Sequence, residues 1–413
     1  MPLTDRLPSL GYRDFRNFIL GSFISNVGGN VQYWAVNWHV FHLTKSSAMV
    51  GLTAGIRILP LLVFSMIGGV IADTNDRRKT LLICQVALAC IAVAIGLTTL
   101  SGFTNVWVLI GLVTLNVIPM SFNNPTRQAY MTTLVPREHF PNAVNVNGMQ
   151  WRLAEILGPM IAGLLIGLPF GATNGLTVCY LLNALTFIAL IYVVWILPPG
   201  PEPTDKEKMT LPLMISLIKD GLSYVWKKPI LRDTMTLDFF ATLLSGAEAL
   251  YPAFAVMLGL GPEGYGFLAS AAGIGALAAA VTLSVLPPIR YQGRFVLWMI
   301  AAYGICTLGL GASPNLMTAM IFLAGTGAAD MVSTVLRQTI RQLNTPDEVR
   351  GRMSATSMIF NITGPRLGDL EAGLLAKLVG ERLSVIYGGA GCLVVAAIYW
   401  FKAKDLRKYE HVA

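Results

Sequence analysis

Charged side chains interrupt one of the longest apolar stretches of this chain. The segment GPRLGDLEAG (364–373) places Arg366, Asp369 and Glu371 inside an apolar run over residues 353–378. Arg366 and Asp369 are three residues apart, so on a helix they share a face and can form a neutralising ion pair. Glu371 lies about 140° around the helix from Arg366, so it needs another partner or must hold a proton.

Other apolar stretches also carry charges. These residues are Arg57, Arg152, Glu155, Asp238, Glu248 and Asp330. Burial raises the pKa of a carboxyl group and an adjacent arginine lowers it, so a carboxylate that changes partners between two states can bind and release a proton. We expect the candidates for such proton coupling to be Asp369, Glu371, Glu155 and Asp238. The alternative, that Arg152–Glu155 and the trio of 366–371 only hold helices together, stays open.

Arginines and asparagines in the same stretches indicate a polar cavity. Arg57, Arg152 and Arg366 carry planar guanidinium groups, which bind carboxylates and phosphates through two hydrogen bonds, so they favour an acidic or mixed-polarity ligand. Asn26 and Asn30 are four residues apart and share one helix face. They can line a cavity, and hydrogen bonding between helices explains them equally well.

The composition of the chain indicates what kind of helices carry these residues. The chain has 413 residues, of which 54% are hydrophobic and 13% are charged, against about 25% charged in soluble domains. Apolar runs near the length of about 20 residues that crosses a bilayer recur throughout. The sequence therefore predicts an all-α membrane protein with spans near residues 17–43, 48–72, 80–100, 105–134, 143–167, 175–197, 230–258, 264–286, 295–312, 315–343, 353–378 and 384–402.

The net charge of +8 follows the membrane topology. The loops between these spans alternate between basic and nearly uncharged, and basic loops stay in the cytoplasm. We therefore expect a multi-pass protein of the inner (plasma) membrane with both termini cytoplasmic, no cleaved signal peptide and no nucleic-acid partner. The five cysteines all fall inside spans and suggest neither a disulfide framework nor a metal site. We expect no cofactor.

The two halves of the chain resemble one another. A constant shift of 210 positions pairs Arg127-Gln128 with Arg337-Gln338 and Leu157-Gly158 with Leu367-Gly368. Six-helix halves of this kind occur in major facilitator transporters. The polar segment 198–212 separates the halves, so we expect an N-terminal six-helix domain (1–197), a cytoplasmic linker (198–229) and a C-terminal six-helix domain (230–413).

A loop motif carries a family resemblance. The segment GGVIADTNDRRKT (68–80) resembles motif A of the major facilitator superfamily, with Gly69, Asp73, Arg77 and Arg78 at the matching positions. Asp76 replaces the usual glycine before the arginines. That departure resembles the drug and siderophore exporter branch, which includes macrolide efflux pumps. The longer strings FISNVGGNVQYWAVNWHVFHLTKSS and DFFATLLSGAEALYPAFA resemble the same branch.

A second motif resembles motif C of proton-coupled exporters. It is AEILGPMIAGLL (154–165), with Gly158, Pro159 and Gly163 in place; small residues let helices approach closely. The resemblance implies the major facilitator fold, with two pseudo-symmetric six-helix domains rocking about a central cavity. It also implies that Asp73 takes part in a cytoplasmic latch, resting against the N-terminus of the eleventh span.

We therefore expect a transporter and no enzyme. The function expected is proton-coupled antiport that exports an amphipathic small molecule, such as a siderophore or drug, by alternating access. Its partners would be this substrate, protons and the lipid bilayer, and the chain is expected to be a monomer. An uncoupled or differently coupled carrier of lipids or metabolites stays open. So does a membrane receptor or enzyme on the same scaffold, although no catalytic motif or signalling segment supports it.

Overall fold

The computed structural model describes residues 7–103, 105–169, 171–198, 211–287 and 289–410, and all regular structure in these residues is helical. The predicted all-α architecture is thereby confirmed. The helices, numbered in chain order, are α1 Arg13–Thr44, α2 Ser47–Ile56, α3 Ile58–Thr74, α4 Arg77–Leu100, α5 Val106–Met131, α6 Phe140–Ile166, α7 Ala172–Ile196, α8 Leu211–Lys227, α9 Pro229–Ser245, α10 Tyr251–Met257, α11 Pro262–Val285, α12 Gln292–Ala312, α13 Leu316–Leu343, α14 Asp347–Val379, α15 Glu381–Lys402 and α16 Lys404–Lys408.

Two of the predicted spans are broken rather than continuous. The span expected over 48–72 is divided into α2 and α3 at Arg57. Pro60 explains this break, because its ring clashes with the carbonyl four residues earlier, that of Ile56, and it donates no backbone N–H. The span expected over 230–258 is divided into α9 and α10. Gly246 leaves the helical conformation there (φ −57°, ψ 124°), and a short 3-10 turn, Glu248–Leu250, precedes α10.

Polar side chains and prolines set several helix starts. Asp76, Asn105 and Asn315 each accept a hydrogen bond from a backbone N–H in the first turn of the helix that follows. This satisfies donors that have no partner within the helix. Pro229 and Pro262 occupy the first turns of α9 and α11, where a missing N–H has no consequence.

Nine helical segments of the described residues are long and apolar enough to cross a membrane. Of the expected spans, those in α1, α6 and α14 are not among the nine. These helices have 32, 27 and 33 residues, well above the roughly 20 needed, so their polar residues and not their length set them apart. The same three helices carry most of the candidate functional residues.

Contacts divide the chain into two compact units. The first comprises Met1–Leu43 and Leu59–Leu211. In it α4 packs against α5 and α7, and α6 packs against α7. Its main core joins α1, α4, α5 and α7 through Phe15, Phe18, Leu81, Tyr130 and Leu190.

The second unit comprises Pro212–Ala413 together with Thr44–Ile58, so that α2 belongs to it. Here α13 packs against α11 and α12, α15 packs against α9 and α12, and α14 packs against α2 and α9. The main core is built around Leu237, Val296, Ile300, Leu336 and Cys392.

Candidate functional site

Asp369 lies at the break between α9 and α10. Its side chain on α14 is 5% exposed, and its Oδ1 accepts a hydrogen bond from the backbone N–H of Ala249 at 3.1 Å. Ala249 belongs to the 3-10 turn that starts the second half of the broken span. A helix start leaves backbone N–H groups without partners, so the carboxylate of Asp369 satisfies one of them.

Glycines bring the backbones around Asp369 close together. A Cβ atom at Gly51 of α2 would collide with the Asp369 carbonyl oxygen, and one at Gly246 would collide with the backbone of Gly368. Only glycine permits such approaches. The broken span, α2 and α14 therefore meet at Asp369, within the second unit.

The other two residues of the 364–373 segment differ from expectation. Among the described residues, no ion pair links Arg366 to Asp369, because the Asp369 carboxylate faces the α9–α10 break. The ion pair expected from their spacing is therefore not formed. Arg366 and Glu248 still lie near enough to act on the charge of Asp369. The Nη1 of Arg366 is buried without a hydrogen-bond partner in the described part of the chain. Glu371 is half-buried and forms no ion pair with a described residue.

Asp238 is part of a buried charged cluster between α9 and α13. Its Oδ1 lies 2.7 Å from Nη2 of Arg337, and Asp330 Oδ1 lies 3.7 Å from the same nitrogen. Arg337 is 1% exposed. Sequence reasoning named Asp238 and Asp330 but missed Arg337. The signal was present, because the 210-residue shift pairs Arg337 with Arg127.

Arg127 has an equivalent place in the first unit. Its Nη2 donates to Oδ1 of Asn26 at 2.7 Å, and its guanidinium stacks over Trp151 at 5.2 Å. Asn26 also donates to Gln150 at 2.9 Å. Of the two explanations for this asparagine, hydrogen bonding between helices is therefore realised.

Asn30 and the residues of motif C bring α1 and α6 together. Asn30 donates to the Asn26 carbonyl at 3.0 Å, and a Cβ at Gly158 would overlap the Cβ of Asn30. Pro159 and Gly163 are buried in the same helix. The small residue at 158 thus permits the close approach expected of it.

Arg152 and Glu155 of α6 form the predicted pair, with Nη1 and Oε2 2.9 Å apart. Both side chains are about two-fifths exposed, at 41% and 42%. Arg57 lies at the α2–α3 break and is buried. The structure therefore brings Asp369 to one break of a span and Arg57 to another, while Arg152 and Glu155 lie in the first unit.

The arginines of motif A bind helix ends in the first unit. Arg77 donates to the carbonyl of Ala129 at 3.1 Å, and Arg78 donates to the carbonyls of Val194, at 3.1 Å, and Trp195. These carbonyls lie in the last turns of α5 and α7, which lack partners within the helix. Gly69 and Asp73 lie in α3, but their side-chain surroundings are outside the described part of the chain. The latch role of Asp73 stays a prediction.

Asp76, where motif A usually has glycine, caps α4. Its Oδ1 accepts from the backbone N–H groups of Arg78 at 2.9 Å and Lys79 at 3.2 Å. Across the described residues there is no group of three or more histidine, cysteine or acidic side chains that could hold a metal ion. The candidate site residues carry carboxylates, guanidinium groups and amides, which can bind protons and polar ligands.

Comparisons with known proteins agree with this arrangement. The family model described as "Transmembrane secretion effector" matches residues 6–412. The enterobactin exporter EntS of Shigella boydii serotype 4 (strain Sb227) is 28% identical over 401 residues, which cover 96% of this chain and 93% of that protein. EntS of Escherichia coli O81 (strain ED1a) matches with the same identity and coverage.

Solved structures share the fold. A bacterial homologue of the human lysosomal transporter Spinster matches with a TM-score of 0.74 and 14% identity over 97% of this chain and 99% of that one. A D-xylose-proton symporter matches with a TM-score of 0.73 and 13% identity over 95% and 98%. The family match spans nearly the whole chain, so the protein belongs to the transmembrane secretion effector family and is an efflux transporter of the major facilitator type.

Proposed function

We propose that this protein exports an amphipathic small molecule, such as a siderophore or drug, in exchange for protons and by alternating access. Family membership supports the transport class. The relatives named as enterobactin exporters support a siderophore-like substrate, and a proton symporter of the same fold supports coupling to protons.

The observation that carries this proposal is the position of Asp369. Its carboxylate is buried and accepts the N–H of Ala249 at the break in the seventh span. An ionised carboxylate makes a charge-assisted hydrogen bond that a neutral acid makes more weakly. Binding of a proton would therefore loosen the start of α10, and release of the proton would restore it.

Two neighbouring charges make the carboxylate of Asp369 responsive to small movements. Arg366 attracts its negative charge and Glu248 repels it. In a site of low dielectric such interactions are strong, so a shift of either neighbour changes proton affinity. This is the property that coupling between proton binding and conformation requires.

Asp238 is a second candidate for the coupling carboxylate, because it is buried and lies 2.7 Å from Arg337. Glu155 is a weaker candidate, since its pair with Arg152 is two-fifths exposed. Either would replace Asp369 if the experiment below excludes it.

The test follows uptake into everted membrane vesicles that contain the protein and have an acidic interior. The substrates are a labelled catecholate siderophore and a cationic dye, each with and without nigericin to collapse the pH gradient. Asp369→Asn keeps an oxygen that can accept from Ala249 but does not titrate. We expect it to abolish gradient-driven uptake at normal expression. By contrast, Asp220→Asn, which replaces an exposed acid of α8 that pairs with Arg352, should leave uptake unchanged.

Each outcome separates one part of the proposal. Gradient-driven uptake that survives Asp369→Asn would move coupling to Asp238 or Glu155. Uptake by the wild type that ignores nigericin would favour the uncoupled carrier. If neither compound is transported, the proposed substrate class is wrong while the assignment to the family stands.

A further inference from the structure

A cavity of about 340 Å³ lies between α13 and α14 in the second unit. Pockets of a few hundred Å³ accommodate small-molecule ligands. The α13 side of the cavity is polar, and the α14 side combines apolar side chains with hydrogen-bonding ones. The lining residues are Gln338, Arg341, Gln342, Met353, Ser357, Met358, Asn361 and Ile362.

Arg341 is the charged residue of this lining. It is 3% exposed, its Nη1 is buried without a hydrogen-bond partner, and its side chain forms no ion pair with any described residue. An arginine side chain stays protonated in proteins. The cavity is therefore bordered by a buried cation that has no ion-pair partner among the described residues, an arrangement that is costly unless a partner binds.

The neighbouring charges do not neutralise Arg341. Arg337 lies one helical turn earlier and takes the close contact with Asp238, at 2.7 Å. Asp330 is nearly half-exposed and contacts Arg337 as well, at 3.7 Å. Two buried guanidinium groups thus share one buried carboxylate, and like charges four residues apart repel.

The helix end explains only part of this arrangement. Arg341 lies in the last turn of α13, where the helix dipole favours a cation. The dipole does not supply a negatively charged partner for the guanidinium group. An anion bound in the cavity would supply that missing negative charge.

We propose that this cavity binds an oxyanion, a carboxylate or a phosphate, carried on an apolar body. Arg341 donates to the oxyanion, and Met353, Met358 and Ile362 contact the apolar part. The ligand is either a soluble amphipathic acid or the phosphate headgroup of a membrane lipid. The inference concerns binding alone and does not depend on exchange for protons.

The test measures binding of 1-naphthoate to the full chain in phosphatidylcholine nanodiscs by equilibrium dialysis, with empty nanodiscs subtracted. The neutral 1-naphthamide serves as the uncharged probe. We expect the wild type to prefer naphthoate. Loss of a charge-assisted hydrogen bond in Arg341→Gln should weaken naphthoate binding about tenfold or more, and Arg341→Lys should fall in between because it lacks the planar fork.

Two further variants separate binding from folding. Asn361→Asp adds a negative charge to an exposed position of the lining without altering Arg341, and should also weaken naphthoate binding about tenfold. Arg352→Gln removes an arginine of α14 that pairs with Asp220 outside this cavity, and should bind like the wild type. If Arg341 had only a structural role, Asn361→Asp would bind naphthoate as tightly as the wild type does.

A second arm identifies a lipid source. Native mass spectrometry of protein from mixed phosphatidylglycerol and phosphatidylcholine membranes should show phosphatidylglycerol retained by the wild type and lost in Arg341→Gln if lipid phosphate occupies the cavity. Naphthoate binding without such retention indicates a soluble acid. The proposal is wrong if neither anion binds, if Arg341→Gln binds as the wild type does, or if naphthamide binds as tightly as naphthoate.

Discussion

The ion pair between Asp238 and Arg337 is the most deeply buried pair of charges among the described residues. Their closest atoms are 2.7 Å apart, and Arg337 also contacts the Thr334 hydroxyl at 2.9 Å. Moving charges out of water is costly, and a buried pair is tolerated because each partner compensates the other. Removal of one partner leaves the other buried and unpaired.

This pair predicts a large and non-additive effect on stability. Arg337→Met should lower the free energy of unfolding by about 3–5 kcal/mol, because Asp238 then lacks its closest cation. Adding Asp238→Asn should recover part of that loss. Thermal unfolding midpoints of the purified protein in detergent measure both.

The matched control is Arg352→Met. Arg352 and Asp220 lie 3.8 Å apart and are 43% and 60% exposed, and such surface pairs contribute about 0–1 kcal/mol. A shift in the midpoint as large as that of Arg337→Met would contradict the assignment of the Arg337 effect to buried charge.

Spacing along the chain predicted one ion pair and not another. Arg152–Glu155 and Arg366–Asp369 are both three residues apart, and the first pair forms. In the second, the backbone N–H of Ala249, 120 residues away, becomes the partner of Asp369. Local spacing shows which side chains can meet, whereas the competing partner comes from tertiary structure that one sequence does not reveal.

At the scale of elements, the packing of α2 against α14 depends on the absence of a side chain at Gly51. The backbone oxygen of Asp369 occupies the position that a Cβ atom would take. Helix packing in membranes relies on such small residues. The glycine therefore fixes the distance of α2 from Asp369.

Gly51→Ala should destabilise the protein by about 1–3 kcal/mol, since α2 must move away from α14. Gly111→Ala is the control, because nothing lies within 4 Å of a Cβ atom at Gly111 in α5. Alanine there should be neutral or slightly stabilising. The yield of monodisperse protein on gel filtration and its unfolding midpoint report the difference. If the two variants gave the same yield and the same unfolding midpoint, the close approach of α2 to α14 would not contribute to stability.

Asp76 gives a prediction for the start of α4. Asp76→Ala removes the side chain that caps two backbone N–H groups and should cost about 1 kcal/mol, whereas Asp76→Gly should cost only a few tenths. Unfolding midpoints of the two variants should therefore rank alanine below glycine. The reverse order would show that capping does not explain why this chain departs from the family motif.

The existence of helices was easier to predict than their breaks. Apolar runs gave an expected span for each helix of more than 20 residues, because low charge and helical length are visible in the sequence. The shorter α8 lies in the stretch that was expected to be a linker. The break at Arg57 also had a visible cause in Pro60, and that at Gly246 in the glycine itself. The chain has 22 prolines and 40 glycines. Whether one of them interrupts a helix depends on whether neighbouring residues satisfy the backbone groups that it leaves without partners. Pro159 and Pro365, for example, lie inside continuous helices.

At the scale of the whole molecule, the two halves keep a common arginine but not its partner. Arg127 binds the amide of Asn26, and Arg337 binds the carboxylate of Asp238. The arginines are 210 positions apart, whereas the partners are 212 apart. An ungapped comparison therefore finds the first correspondence and misses the second. Only the second half retains a group that can bind a proton at this place.

The distribution of basic loops predicts the orientation of the chain. Ser101→Cys, in the exposed turn after α4, should react with a membrane-impermeant maleimide in intact cells. Lys404→Cys, after α15, should react only once the membrane is permeabilised, because both termini are expected in the cytoplasm. The wild type gives the background, because Cys90 is exposed and Cys306 is partly buried, while the cysteines at 84, 179 and 392 are buried. The opposite pattern of labelling would invert the topology.

The membership of α2 in the second unit has a consequence for biogenesis. Ser47–Ile56 leaves the ribosome among the first helices, but α14, against which it packs, begins only at Asp347. At a synthesis rate of about 5–20 residues per second, α2 waits roughly a quarter of a minute to a minute for that partner. During this time its Gly51 face lacks the α14 backbone against which it packs. The surroundings of Asp369 are therefore assembled late, after nearly the whole chain has been made.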